Sequence, residues 1–210
     1  MPVRDLSHEE LTRIYGPWLH RTPAEAAELF DGYPGRWWIA GGWALEAYTG
    51  VRRPHGDLDP SIPRHELPLL RRHLAGRMDL WSADQETLRV LLPGDEDHDF
   101  LADSSENVWA RSSGGEPWQY DIILMDVSDG RWVFKRDSRI SRPVDEIVWS
   151  LEGVPYLRPE VQLLHKAAGP RPKDQADFAA TWPLLEPADR RWLRHAVELA
   201  HPAHPWLDVL

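Results

Sequence analysis

The 210-residue chain contains no cysteine. Disulfides, thiolate metal sites and cysteine nucleophiles are therefore closed to it. It is also short of cations, with 24 Lys and Arg against 34 Asp and Glu, a formal net charge of -10. Sequence-independent nucleic-acid binding needs a basic face that releases counterions from phosphates, and this balance argues against nucleic acid as a partner. A nucleotide is a different case, because metal ions can screen a triphosphate locally. An acidic cleft would equally suit a cationic small molecule. No apolar run approaches the roughly 18 residues that span a bilayer. Residues 1–10 lack the basic stretch and apolar run of a secretion signal. The expectation is a cytoplasmic protein with no membrane partner, and nothing in the pattern bears on oligomeric state.

Hydrophobic residues make up 42% of the chain, enough for one compact domain or two small ones. The 12 tryptophans and 19 prolines are unusual, and composition alone assigns them no function. The chain shows no internal repeat. Ser7 with Glu10 and Thr22 with Glu25 have capping-box spacing, and Pro23 stands at the favoured first position of a helix. Arg36 to Ala40 reads as a strand entering a turn at Gly41-Gly42, followed by a short helix from Trp43 to Tyr48 that Gly50 stops. Asp57 to Ile62 reads as a strand, the stretch after Pro63 as a helix closed by Gly76, and Met78–Trp81 and Leu88–Leu92 as strands. Pro93 to Asn107 is polar and acidic and reads as a surface loop, whose functional reading is a lip that attracts an amine-bearing acceptor. Trp118 to Met125 alternates as a strand, with a hairpin at Arg131 to Phe134. From Pro159 the pattern becomes helical. The predicted class is α+β, a small mixed sheet flanked by helices over residues 1–158 and a helical region over 159–210.

Two aspartates carry the chemical argument. In His55-Gly-Asp57-Leu-Asp59, strand alternation projects both carboxylates to one side and Leu58 to the other. Adjacent carboxylates repel, and a hard cation between them relieves that repulsion. D-x-D alone is more often a solvated strand edge. Gly41-Gly42, about fifteen residues upstream, lets backbone N–H groups approach phosphate oxygens at a helix start, although such a pair is usually just a turn. Asp121 interrupts the apolar strand WQYDIILM, where Tyr120, Ile122 and Leu124 share one face and Asp121, Ile123 and Met125 the other. Burying it without a partner is costly. A third carboxylate directed at the same metal would explain it, and so would pairing to an arginine. The ten histidines show no zinc spacing on one helix, and Ser61 lacks a nucleophile elbow.

The stretches W38-I-A-G-G-W-A-L-E46 and G50-V-R-R-P-H-G-D-L-D59 resemble the nucleotidyltransferase superfamily that includes DNA polymerase β. Within it they look most like the aminoglycoside 2″-adenylyltransferases and lincosamide nucleotidyltransferases, over about Trp37 to Trp182. The resemblance implies a nucleotidyltransferase fold and transfer of NMP, AMP above all, from an NTP to a hydroxyl of a small molecule such as an aminoglycoside-like antibiotic. It implies Mg²⁺, in a two-ion site, held by Asp57 and Asp59 with Asp121 as third ligand or as general base. Gly41 and Gly42 would cradle the triphosphate, Arg53 and His55 would steady phosphates or the metal-binding loop, and Lys166 or Lys173 would meet the β- and γ-phosphates. Two positions depart from the family pattern. Pro60 forbids one ladder hydrogen bond, which points to an edge or bulge there, and Glu46 stands where relatives often carry Asp. Two other functions compete: an antitoxin-like enzyme that adenylylates a partner protein, and a nucleotide-binding module without catalysis.

Overall fold

Strands dominate the first three-quarters of the chain because its β-branched and aromatic residues come in short runs cut by Gly, Pro and Asp. The computed structural model describes residues 8–84, 87–96 and 101–210. Eleven strands are described: β1 Trp38–Ile39, β2 Pro60–Pro63, β3 Asp79–Asp84, β4 Thr87–Leu91, β5 Asn107–Arg111, β6 Tyr120–Met125, β7 Val127–Ser128, β8 Arg131–Val133, β9 Ser141–Pro143, β10 Val148–Leu151 and β11 Val154–Leu157. Eight form one mixed sheet in the order β10-β11-β1-β2-β6-β5-β3-β4, and β7-β8-β9 form a second. The α-helices are α1 His8–Tyr15, α2 Pro23–Leu29, α3 Gly41–Thr49, α4 Leu67–Leu74, α5 Pro159–Lys166, α6 Pro172–Thr181 and α7 Pro187–Ala200. The sheet is larger than the small one expected. Among the described residues no helix is long and apolar enough to cross a membrane.

Several expectations hold in detail. Thr22 and Glu25 form the full capping box, with Pro23 opening α2. Ser7 lies outside the described residues, as do Asp97 and Asp99 of the acidic stretch. Gly50 ends α3 at φ 71°, a left-handed conformation that costs glycine little. In β6 the residues alternate as foreseen, with Tyr120, Ile122 and Leu124 buried and Asp121 and Ile123 half-buried. β11 ends at Leu157 and α5 begins at Pro159, so the helical region starts where the pattern changes.

Three readings need correction. The Gly41-Gly42 pair does not precede the helix but forms its first turn. Asp57 to Asp59 is extended but lies before β2, which begins at Pro60. Pro60 marks neither an edge nor a bulge, because β2 is internal, antiparallel to β1 and parallel to β6. A proline is tolerated at the first residue of a strand, where its missing N–H withdraws little from the ladder. The described residues of 93–106 form a loop as expected, but β5 after it went unread; its Asn107, Trp109 and Arg111 are half-buried while Val108 and Ala110 are buried. The β10–β11 hairpin also went unread, although Glu152 and Gly153 both take positive φ, 52° and 82°, as a two-residue hairpin turn requires.

The helical region is fastened to the sheet half through α3, which packs on α5 and α6, while α5 packs on α7. His165, on α5, lies against Trp132 (5.8 Å between ring centroids) and Phe134 (5.2 Å), joining this region to the second sheet. Burial pushes its imidazole down to about 4, with the Arg136 charge acting the same way. Between the ordinary value near 6.5 and about 4 the unfolded chain therefore takes up a proton that the folded chain refuses. His165 should cost no stability above about pH 6.5 and should destabilise progressively as pH falls toward 4. In chemical denaturation from pH 7 to 4.5, His165→Gln should lose less stability than the parent chain; equal losses would remove this assignment.

Candidate active site

The loop from Gly50 to Asp59 is short of apolar residues, so polar contacts must hold it, and α3 supplies them. Trp43 Nε1 donates to the Asp57 carbonyl at 3.2 Å. The Trp43 ring also stacks on His55 at 4.2 Å and 19°. His55 Nε2 lies 2.8 Å from Glu46 Oε2, and the Arg53 N–H donates to the same oxygen at 3.1 Å. Glu46, the departure from the family pattern, thus holds the loop at two points. Only Leu58 is driven inward, at 1% exposure, while Asp57 is exposed and Asp59 half-buried. The alternation that puts both carboxylates on one side is therefore present without a regular strand. Asp121 reaches the same neighbourhood, since its N–H donates to the Leu58 carbonyl at 3.4 Å.

Opposite the carboxylates is the first turn of α3. No side chain caps it, and the Gly41 N–H donates to Gln162 Oε1 on α5 at 2.7 Å. Gly41 has φ 67°, and a Cβ there would overlap the Asp59 carboxylate; a Cβ on Gly42 would overlap the Arg53 guanidinium. Glycine is required at both positions by close approach, in the first also by the backbone conformation.

These groups line a cleft of about 460 Å³. Its charged walls are Asp57, Asp59 and Asp174 on one hand and Arg53, Arg136, Lys166, Arg171 and Lys173 on the other. The cleft is thus not the acidic one that the net charge allowed for: cations outnumber acids there. Several are committed inside the protein. Arg53 binds Asp177 through two nitrogens, at 2.9 and 3.1 Å. Lys166 Nζ lies 2.6 Å from Asp174 and 3.0 Å from Asp177, with all three side chains at most 8% exposed. Arg171 pairs with Asp174 at 2.8 Å but is 64% exposed. Lys173 is exposed, and its charge and that of Lys166 act on Asp59.

The three aspartates crowd one another electrostatically. Burial and then the charges of Asp57 and Asp121 hold the Asp59 carboxyl well above the usual carboxylate range, against the pull of Lys166 and Lys173. Burial raises Asp121 to about 7, with the Asp57 charge adding to it, while hydrogen bonds from Asn107 and Trp109 oppose the rise. Asn107 Nδ2 donates to Asp121 Oδ1 at 2.7 Å. Among the described residues no group of three or more His, Asp or Glu side chains is gathered tightly enough to hold a metal by itself. The donor set nevertheless fits a hard cation: Asp57 and Asp59 offer oxygen, and Mg²⁺ ordinarily takes one or two carboxylates and completes its shell with phosphate and water.

All nine residues singled out in the sequence are accounted for. Gly41, Gly42, Arg53, His55, Asp57, Asp59, Lys166 and Lys173 line the cleft, and Asp121 stands behind it. Gln162 and Asn107 escaped sequence reading, because their partners Gly41 and Asp121 are remote in the chain.

No protein-family model and no curated protein matches the chain by sequence. Solved structures do match it. Lincosamide antibiotic adenylyltransferase LnuA, in its lincomycin-bound crystal structure, superposes with a TM-score of 0.50 at 15% identity, over 77% of this chain and 95% of that one. The solution structure of antibiotic-resistance factor ANT(2'')-Ia gives 0.51 at 16% identity, over 86% and 91%. The chain has the nucleotidyltransferase fold of these proteins.

The buried carboxylate of Asp177 leads to a prediction on stability. Asp177→Ala would leave Arg53 without its bidentate partner and Lys166 with one carboxylate where it had two. Breaking a buried pair in this way costs about 3–5 kcal/mol, which urea unfolding would read directly. A loss below about 1 kcal/mol, the range of exposed pairs, would show that the network is solvated.

Proposed function

We propose that the protein is a Mg²⁺-dependent nucleotidyltransferase that moves NMP from an NTP to a hydroxyl of a small molecule, releasing pyrophosphate. One observation carries this reading. A crowded aspartate pair, which Lys166 and Lys173 offset only in part, faces a glycine-built helix start across a cleft in which cations outnumber acids. Carboxylates alone would repel a triphosphate, and cations alone would not hold a metal. Both together suit a metal-bound triphosphate. The LnuA and ANT(2'')-Ia structures support the reading through their fold, and their names favour AMP as the transferred group and an antibiotic as the acceptor.

In this assignment Asp57 and Asp59 hold the metal, which neutralises charge on the phosphates. The first turn of α3 faces the triphosphate with its positive dipole end. Lys173, Arg136 and the exposed Arg171 remain at the cleft to meet outer phosphates, the last while paired to Asp174, whereas Arg53, His55 and Lys166 keep the loop and α6 in place. Asp121 accepts the proton of the attacking hydroxyl. A carboxylate held near 7 accepts a proton far more readily than an ordinary one, and Asn107 and Trp109 fix its direction.

Titration calorimetry with each Mg·NTP tests binding, and pyrophosphate release against a panel of aminoglycosides, lincosamides and nucleosides tests turnover. Asp57→Ala should abolish turnover while the chain stays folded, and activity that survived it would end the metal assignment. Asp121→Asn should retain NTP binding and slow transfer by about 10²–10⁴-fold, the usual range for loss of a general base. An Asp121→Asn enzyme that lost NTP binding instead would place Asp121 among the metal ligands.

A further inference from the structure

The side of α5 that lines the cleft carries Gln162, His165 and Lys166, spaced three and four apart as one face of a helix. Lys166 is committed to Asp174 and Asp177. Gln162 has no part in the assignment above. It is the polar residue of a buried run, 6% exposed itself, with Val161 and Leu163 on either side at 0%.

The Gly41 N–H donates to Gln162 Oε1 at 2.7 Å. That bond decides which way the amide lies. A backbone N–H only donates, so the atom facing it must be the carbonyl oxygen, and Nε2 with its two donors is turned elsewhere. Nε2 has no hydrogen-bond partner among the described residues, in a side chain that lines the cleft. A nearly buried amide with both donors unmet is costly, and an oxygen brought by a ligand removes that cost.

We propose that Gln162 contacts the substrate, its Nε2 amide donating to a phosphate oxygen of the bound NTP at the start of α3; the inference rests on the nucleotidyltransferase reading and adds to it a group through which the helical region holds the triphosphate. Place is the first argument. Gly41 lies so close to Asp59 that a Cβ on it would overlap the carboxylate. The side chain bonded to Gly41 therefore stands beside the assigned metal corner, where a metal-bound phosphate belongs. Exchange of donors is the second. The Gly41 N–H is spent on Gln162 and cannot serve a phosphate oxygen at the same time. The amide returns a donor in its place, and accepting a bond at its oxygen strengthens donation from its nitrogen. Rigidity is the third. α5 packs on α3 and α7, so the amide is held in position before a ligand arrives.

Calorimetry of the full chain with Mg·tripolyphosphate and with each Mg·NTP reads this contact. Gln162→Met keeps the length of the side chain and removes both its donor and its acceptor. It should weaken tripolyphosphate and NTP alike by about tenfold or more, the scale of one hydrogen bond to a charged group, while urea unfolding shows that the chain is folded. A role confined to holding Gly41 predicts the opposite sign, because the freed Gly41 N–H would be open to a phosphate oxygen. Unchanged or raised tripolyphosphate affinity in the folded variant therefore overturns the proposal. So does a loss for NTP with tripolyphosphate unchanged, which would give the amide to the sugar or the base, and so does a loss confined to the acceptor. Should Gln162→Met fail to fold, the parent chain decides by NMR. The Gln162 side-chain amide signal should move on saturation with Mg·tripolyphosphate, and a signal that stays in place overturns the proposal. A parent chain that binds neither NTP nor tripolyphosphate ends the nucleotidyltransferase reading itself, a result distinct from parent binding that Gln162→Met leaves intact.

Discussion

The buried carboxylate of Asp177 is the contact on which the rest of the site depends. It takes the Arg53 guanidinium from the loop that carries Asp57, and the Lys166 ammonium from α5, and it holds both from α6. The loop, α5 and α6 thereby meet at one charge. Burying such ions costs solvation, and the gain in attraction repays it only when each is paired and hydrogen-bonded. Here Asp174 and Arg171 complete the pairing, so the arrangement is fixed in one geometry. What it contributes is position: the guanidinium packs onto Gly42, at the turn that faces Asp59.

Charge is distributed against the average. The chain as a whole is acidic, yet the cleft at the candidate site has more cations than acids along its walls. Asp174 is paired there with Lys166 and Arg171, whereas Asp57 and Asp59 stand close together without an ion pair among the described residues. Burial first, and then this crowding, shift Asp59 and Asp121 upward, and the repulsion is what a divalent ion would relieve.

Local rules read some of this from the residues. Thr22 with Glu25, Gly50, and the alternation through Asp121 each express a constraint spanning a few residues, and each appears as expected. Pro60 misled, because a proline says which N–H is missing but not how many neighbours the strand has. β5 went unread because its five residues alternate too briefly beside a long polar loop to stand out. The resemblance gave Arg53 to phosphates or the metal-binding loop and offered Lys166 for the outer phosphates; their partner Asp177 stands 124 and 11 residues away in the chain, and no spacing announces it.

The sequence by itself determined the local elements of the site. Two aspartates in alternation with a leucine face one way, and paired glycines at a helix start let other groups approach its first turn closely, because both follow from backbone geometry alone. The tertiary structure decided which cations are free. Whether a lysine meets a ligand or a buried carboxylate depends on what α5 and α6 bring beside it, and pairing energies between distant residues leave no trace in local pattern. It also created the cleft, since a cavity is the space between elements and belongs to none of them.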